Sequence, residues 1–233
     1  MGHQKMKLIY FLEKKMEGRR TYLKRTGMIL LGLATVSTSA NASGPRTEKI
    51  SEPTMIIDVN RCMGCCSCII ACKDQNQTPK GCFNTKITKT NNGSFPHAWH
   101  SYEPTLCHQC YDAPCIAACE YNATFQLNNG IVVVDWNQCT GCGECVLACT
   151  YDARYLDSAN ANKVDKCDFC ITRIEKGLEP ACVESCPAGA RIFGDLAKPQ
   201  GAFSDYLNTM KEENPRVLKE SWGRIFYTTA RKG

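Results

Sequence analysis

Sixteen of the chain's eighteen cysteines fall into four blocks of four. The first is Cys62-x2-Cys65-x2-Cys68-x3-Cys72 and the second Cys107-x2-Cys110-x4-Cys115-x3-Cys119. The third is Cys139-x2-Cys142-x2-Cys145-x3-Cys149 and the fourth Cys167-x2-Cys170-x11-Cys182-x3-Cys186. Two-residue spacing lets a loop wrap a cubane and aim successive thiolates at three iron corners. The x3 step then carries the chain onto a helix, whose cysteine reaches the other cluster of a pair. Blocks one and three have the run that bacterial proteins use to hold paired [4Fe–4S] clusters. Two other chemistries use paired cysteines. A disulfide framework belongs to short secreted chains, and its cysteines do not repeat in this pattern. Structural zinc accounts for C-x2-C pairs but leaves the third and fourth cysteine of each block without a role.

An internal repeat positions the blocks. Ile57-Asp58-Val59-Asn60-Arg61-Cys62-Met63-Gly64-Cys65 returns 77 residues later as Val134-Asp135-Trp136-Asn137-Gln138-Cys139-Thr140-Gly141-Cys142. Gly64 and Gly141 stand where the backbone must bend tightly beside a cluster, which favours a residue without Cβ. Blocks two and four rhyme as well, each with a proline (Pro114, Pro180) just before its third cysteine. The repeat sorts the two surplus thiols. Cys66 aligns with Gly143 and Cys82 lies outside every block, so both are expected to be bystanders. The elements follow from local pattern. Met55-Ile56-Ile57 reads as a short strand with Ile131–Val134 as its partner, and short helices end at Cys72, Cys119, Cys149 and Cys186. Asn91-Asn92-Gly93 marks a hairpin turn in the polar stretch 73–106. Phe203, Tyr206, Leu207 and Met210 predict one amphipathic helix broken near Pro215. The expected fold is α+β: two pseudo-symmetric bacterial ferredoxin-like modules, loop-rich, with short strands and helices around four clusters.

Composition excludes several function classes. Hydrophobic residues reach 43% of the 233 only with the cysteines included, and aromatics are 9%. So few apolar side chains leave something covalent or metallic to hold the fold together. The net charge of +5 lies wholly in residues 1–42, which hold eight Lys/Arg against Glu13 and Glu17. Residues 43–233 carry 20 basic and 21 acidic side chains. No cationic face is left for phosphates, which argues against nucleic acid. Sixteen thiolates on four oxidised cubanes would give residues 43–233 a net charge of about −9, concentrated inside, for buried N–H donors to offset. Histidine is scarce, and His108, inside the Cys107–Cys110 turn, is expected to hydrogen-bond locally or lie at the surface. No nucleotide loop, catalytic triad order or carboxylate pair is present, so no catalytic residue is assigned.

The amino-terminal residues read as an address. Arg19-Arg20-Thr21-Tyr22-Leu23-Lys24 resembles a twin-arginine export signature, and the short apolar run Met28–Val36 follows. Ala40-Asn41-Ala42 has the A-x-A form of a cleavage site. Residues 1–42 are therefore expected to be a signal peptide, with Met16 a candidate start because the leader is otherwise long. Residues 43–200 would form the four-cluster domain, and 201–233 a tail that docks on a partner or covers the domain. No stretch reaches the roughly 20 apolar residues that span a bilayer.

The four blocks resemble the four-cluster iron–sulfur (beta) subunits of molybdenum oxidoreductases of the dimethyl sulfoxide reductase type, over nearly all of 53–200. Within that family, Ala123-Thr124-Phe125-Gln126, Gly130–Asp135, Tyr151-Asp152-Ala153-Arg154, Pro180–Cys186, Gly189-Ala190-Arg191-Ile192 and Gly194-Asp195-Leu196 are most similar to the tetrathionate reductase branch. The arsenate, polysulfide and thiosulfate reductase branches share similar text. The resemblance implies that block one pairs with block four, and block two with block three. Cys62, Cys65, Cys68 and Cys186 would then hold one cluster, and Cys167, Cys170, Cys182 and Cys72 its neighbour. Cys107, Cys110, Cys115 and Cys149 would hold a third, and Cys139, Cys142, Cys145 and Cys119 a fourth. It further implies a non-catalytic electron-transfer subunit in the periplasm, exported folded. Its partners would be a molybdopterin-containing catalytic (alpha) subunit and a membrane quinol-oxidising subunit; a stand-alone periplasmic ferredoxin serving a cytochrome reductase is the alternative. One departure stands out. Proline usually follows the last cysteine of several blocks, but Lys73, Glu120 and Thr150 stand there, and only Pro187 keeps the rule.

Overall fold

A computed structural model of the chain describes residues 50–213 and 222–228. Residues 1–42, with the export signature, and Pro215 lie outside the described residues. Each cysteine block is bracketed by one strand before it and one after it. β1 (Pro53–Ile57) leads into block one and β2 (Thr85–Asn92) follows it. β3 (Trp99–Leu106) and β4 (Thr124–Gln126) bracket block two, β5 (Val132–Val134) and β6 (Arg154–Asp157) block three. β7 (Lys163–Lys166) and β8 (Arg191–Asp195) bracket block four. The helices are short: α1 (Ser67–Asn76), α2 (Pro114–Ala117), α3 (Glu144–Leu147), α4 (Ile171–Ile174) and α5 (Ala181–Glu184) lie within or beside the blocks. α2, α3 and α5 stop just before Cys119, Cys149 and Cys186. α1 runs past Cys72 because Lys73, unlike proline, can continue a helix. The Lys73 ammonium then ties down the next loop, donating to the carbonyls of Thr78, Pro79 and Cys82 at 2.8–3.3 Å.

The strands form four small sheets, which brings the ends of the blocks together. β1 pairs antiparallel with β8 and parallel with β9 (Ile225–Tyr227), while β2–β3, β4–β5 and β6–β7 are antiparallel pairs. Ile131–Val134 does not pair with Met55–Ile57, as the sequence suggested. Each of these strands instead pairs with the strand that leaves the block whose helix packs on its own: α1 packs on α5, and α2 on α3. In the β2–β3 hairpin Asn91 and Asn92 still belong to the strand, and the loop opens at Gly93, φ 69°.

All five residues of β1 are buried, as expected of a central strand covered on both faces. Period-two alternation points Ile56 at α6 (Gly201–Glu213), where it packs with Phe203, Leu207, Met210 and Phe226. That helix covers the sheet. β9 had no signal in the sequence, because three residues are too few for a period. A second core joins Ala113, Val132 and Val164 to Cys115 and Cys145. Among the described residues, no helix is long and apolar enough to cross a membrane.

Asp195, at the end of β8, fastens the start of β1. Its carboxylate accepts from the backbone N–H of Ser51 (2.9 Å), Glu52 (3.0 Å) and Ala197 (3.0 Å). Partial burial pushes its pKa up, but these donors outweigh burial and hold it below the ordinary 3.8. A depressed carboxylate stabilises the fold above its unfolded pKa, and the contribution is lost as pH falls through the folded value. Asp195→Ala should therefore cost about 1–2 kcal/mol at pH 7. Thermal melts should show the same deficit from pH 7 to pH 5 and a narrowing one only below 3.8; a deficit that disappears by pH 5 contradicts this account.

Candidate metal centres

One backbone device recurs in all four C-x2-C turns. The residue two after the first cysteine is left-handed: Gly64 (φ 72°), Gln109 (φ 50°), Gly141 (φ 78°) and Phe169 (φ 56°). In the first two turns both thiols of the kinked loop line one cavity. Sequence reasoning found the two glycines but not Gln109 and Phe169, whose residue types carry no such signal. Both are held in place by burial, Gln109 at 0% and Phe169 at 1% exposure. Gln109 also donates to the Cys167 carbonyl (2.8 Å) and accepts from Val132 N–H (2.8 Å), so block two is tied to block four.

The thiols gather in sets drawn from two blocks each. Cys62, Cys65, Cys68 and Cys186 line one cavity, partly open to solvent, with Arg191. Cys107, Cys110, Cys115 and Cys149 line a second with Arg154 and His108. Burial pushes the Cys110 thiol up to about 11, helped by the neighbouring Cys107, Cys115 and Cys149. Burial also drives the Cys72 thiol far up, with Cys182 and Cys170 adding to it, and Cys167 rises for the same reason with Cys72 and Cys182 beside it. Cys72 thus lies with Cys167, Cys170 and Cys182. Around Cys145, burial dominates and Arg154 opposes it, while Cys119 and Cys139 raise the thiol further, so these three also lie together. Cys142, in the loop between Cys139 and Cys145, is exposed. Cys66 is exposed too and points its thiol at the Gly64 carbonyl, 3.4 Å away.

The surroundings suit an anionic sulfur-bound core. Sulfurs receive N–H donors from Val164 to Cys139 (3.4 Å), Ala190 to Cys186 (3.3 Å) and the Asn76 amide to Cys72 (3.3 Å). The other cavity walls are mainly apolar, including Ile87, Pro104 and Ala188 in the first and Ala113, Pro114 and Val132 in the second. Among the described residues no three His, Cys, Asp or Glu side chains close tightly enough on one point for a single metal ion. The sulfurs of the two cavities face a space instead. The donor sets therefore fit polynuclear iron–sulfur groups.

Two buried arginines were missed from the sequence. Arg191 and Arg154 are each 3% exposed, and each stands five residues after the last cysteine of its block. That shared spacing is the signal that could have found them. Burial works against the charge of Arg191, but the sulfurs of Cys182, Cys68 and Cys167 outweigh it and hold its pKa above the ordinary value. His108 is half-buried and no member of a thiol set. Its ring stacks on Tyr151 (3.6 Å between centroids, 8° between planes) and tilts against Tyr227 at 5.8 Å. Burial lowers its pKa to about 4, so the imidazole is neutral at pH 7.

Known proteins give the same reading. A family described as "4Fe-4S dicluster domain" matches residues 98–196. A tetrathionate reductase subunit of Salmonella typhimurium is 39% identical over 221 residues, covering 90% of this chain and 87% of that one. A polysulfide reductase polypeptide of Wolinella succinogenes is 36% identical over 182 residues (77% and 95% covered). A putative dimethyl sulfoxide reductase iron-sulfur subunit of Halobacterium salinarum is 39% identical over 182 residues (66% and 70%). With such relatives matched along most of its length, this protein belongs to the iron–sulfur subunits of molybdenum oxidoreductases of the dimethyl sulfoxide reductase type.

Proposed function

We propose that the chain relays electrons through four [4Fe–4S] clusters, from a membrane quinol-oxidising subunit to a molybdopterin catalytic subunit of a tetrathionate reductase. The observation that carries this reading is the gathering of thiols into sets that each draw on two blocks, which is how a bacterial two-cluster module exchanges its fourth ligands. The ligand sets are Cys62, Cys65, Cys68 and Cys186; Cys72, Cys167, Cys170 and Cys182; Cys107, Cys110, Cys115 and Cys149; and Cys119, Cys139, Cys142 and Cys145. They form two modules, of which blocks one and three match at the 77-residue repeat. A cubane whose four corners are all thiolate-bound supplies a reversible one-electron store and no open coordination position. The chain's own residues do the rest. The apolar walls limit water at the buried sulfurs, and the N–H donors of Val164, Ala190 and Asn76 favour the charged form of Cys139, Cys186 and Cys72. Gln109 and the Lys166 ammonium, which donates to the Val132 and Cys167 carbonyls, hold the modules against each other. Residues 1–42 serve as a twin-arginine signal, so the folded chain works in the periplasm and reaches the membrane through its partners.

The test is an anaerobic pull-down of the tagged native chain from membrane and periplasmic extracts. The captured complex is assayed for oxidation of reduced viologen by tetrathionate, arsenate, thiosulfate and polysulfide. The expected result is rapid turnover with tetrathionate and a molybdenum-containing large subunit in the eluate. Activity with another oxidant alone would move the substrate but keep the relay. A brown protein captured alone and inert with all four would overturn the proposed complex in favour of a free ferredoxin.

A further inference from the structure

The first residue of the strand that follows each cysteine block is buried and polar: Thr85 in β2, Thr124 in β4, Arg154 in β6 and Arg191 in β8. The four residues meet as two like pairs. Arg191 Nη2 donates to Thr85 Oγ1 at 2.7 Å, and Arg154 Nη1 donates to Thr124 Oγ1 at 3.1 Å. Each hydroxyl belongs to one block of a paired set and each guanidinium to the other. Arg191 lines the cavity of Cys62, Cys65, Cys68 and Cys186, and its Nη1 also lies 3.7 Å from Cys182 Sγ, in the neighbouring set. Arg154 lines the cavity of Cys107, Cys110, Cys115 and Cys149, and its charge acts on Cys145 of the adjoining set. Nε and Nη2 of Arg154 are buried and meet no hydrogen-bond partner. A buried guanidinium with idle donors needs an acceptor beside it.

We infer that Arg154 and Arg191 are matched electrostatic positioning residues, each set between the two thiol groups of one module and each raising the reduction potentials of both groups there. This rests on the reading that the four sets hold [4Fe–4S] clusters. The step concerned is the gain of one electron with no bond made or broken. A guanidinium cannot lose its proton, so its charge favours the electron-richer state at any working pH. At an effective dielectric of about 20, a unit charge within a few ångströms of the added electron is worth more than a factor of ten. The threonine hydroxyl keeps the fork from turning away.

The test is a dithionite redox titration of the whole anaerobically purified protein, followed by electron paramagnetic resonance, for Arg154→Met and Arg191→Met. Each variant should shift the oxidised-to-reduced ratio of two signals at least tenfold towards the oxidised form, about 59 mV for one electron. The two signals moved by Arg191→Met should be the two left alone by Arg154→Met, with iron content unchanged. Arg→Lys, which keeps the charge, should restore most of the shift. Should a methionine variant fail to take up iron, Thr85→Val and Thr124→Val only unhook the guanidinium and should give smaller shifts in the same two signals. Iron-loaded variants whose potentials stay put, or whose four signals all move together, would overturn the inference. An unsubstituted protein without iron or reduced-state signals would instead overturn the cluster reading beneath it.

Discussion

Cys149→Ser should remove about a quarter of the protein's iron, from about 16 to about 12 atoms per chain, together with the cluster held by block two. The expectation comes from where Cys149 sits. It follows Cys145 by four residues, yet it lines the cavity of Cys107, Cys110 and Cys115, while Cys145 lies with Cys119 and Cys139. A serine oxygen is a harder and weaker iron ligand than a thiolate, so the incomplete set should not hold its cluster. The reduced-state resonance lost in Cys149→Ser should match the one lost in Cys107→Ser, not the one lost in Cys139→Ser. The first module offers the same comparison, with Cys186→Ser expected to resemble Cys62→Ser. Should Cys149→Ser instead match Cys139→Ser, ligation stays within blocks and the assigned sets are wrong. Under the proposed relay, electron transfer through the chain should fail in each variant, because a chain of carriers conducts no better than its missing member allows.

The thiol spacing was legible because it is a local code: a turn, a helix and four sulfurs within 11 to 20 residues need no knowledge of the rest of the chain. The 77-residue repeat likewise exposed Gly64 and Gly141, both left-handed in the structure, without coordinates. What stayed hidden depends on distant parts meeting. Thr85 and Arg191 are 106 residues apart in sequence, and nothing near Thr85 distinguishes it from the other threonines of its hairpin. β9 takes its place from the free edge of β1, which three residues cannot signal. Gln109 and Phe169 adopt left-handed backbone that their residue types disfavour, because burial and, for Gln109, two hydrogen bonds outweigh the strain. The expected partner of β1 was wrong for a related reason. Two equivalent strands were read as a pair, whereas equivalence under the repeat sends each to its own sheet.

Gly141→Ala should cost about 3 kcal/mol or more and lower the yield of iron-loaded protein, while Cys66→Gly should cost nothing. Gly141 sits at φ 78°, where an alanine loses about 1–2 kcal/mol. Its Cβ would also lie 2.6 Å from the backbone oxygen of Asn162, which cannot swing aside as a side chain would. Gly143, two residues on, separates the two contributions. It is just as left-handed at φ 85°, but its Cβ would meet only a Leu156 methyl at 3.9 Å, so Gly143→Ala should cost the conformational part alone. Cys66 occupies the matching place in block one at φ 62°, carrying as a non-glycine residue the strain that Gly143 escapes. Cys66→Gly should therefore be neutral or stabilising by up to about 1 kcal/mol, since glycine's greater unfolded-state freedom offsets part of the relief. Thermal loss of the clusters' visible absorbance, read beside iron content, ranks the three variants. The expected order places Gly141→Ala far below Gly143→Ala, with Cys66→Gly at or above the unsubstituted protein and its iron complete. A Cys66→Gly protein that lost a quarter of its iron would make Cys66 a ligand in place of Cys65. The repeat argues the opposite, because block three does the same work with a glycine there.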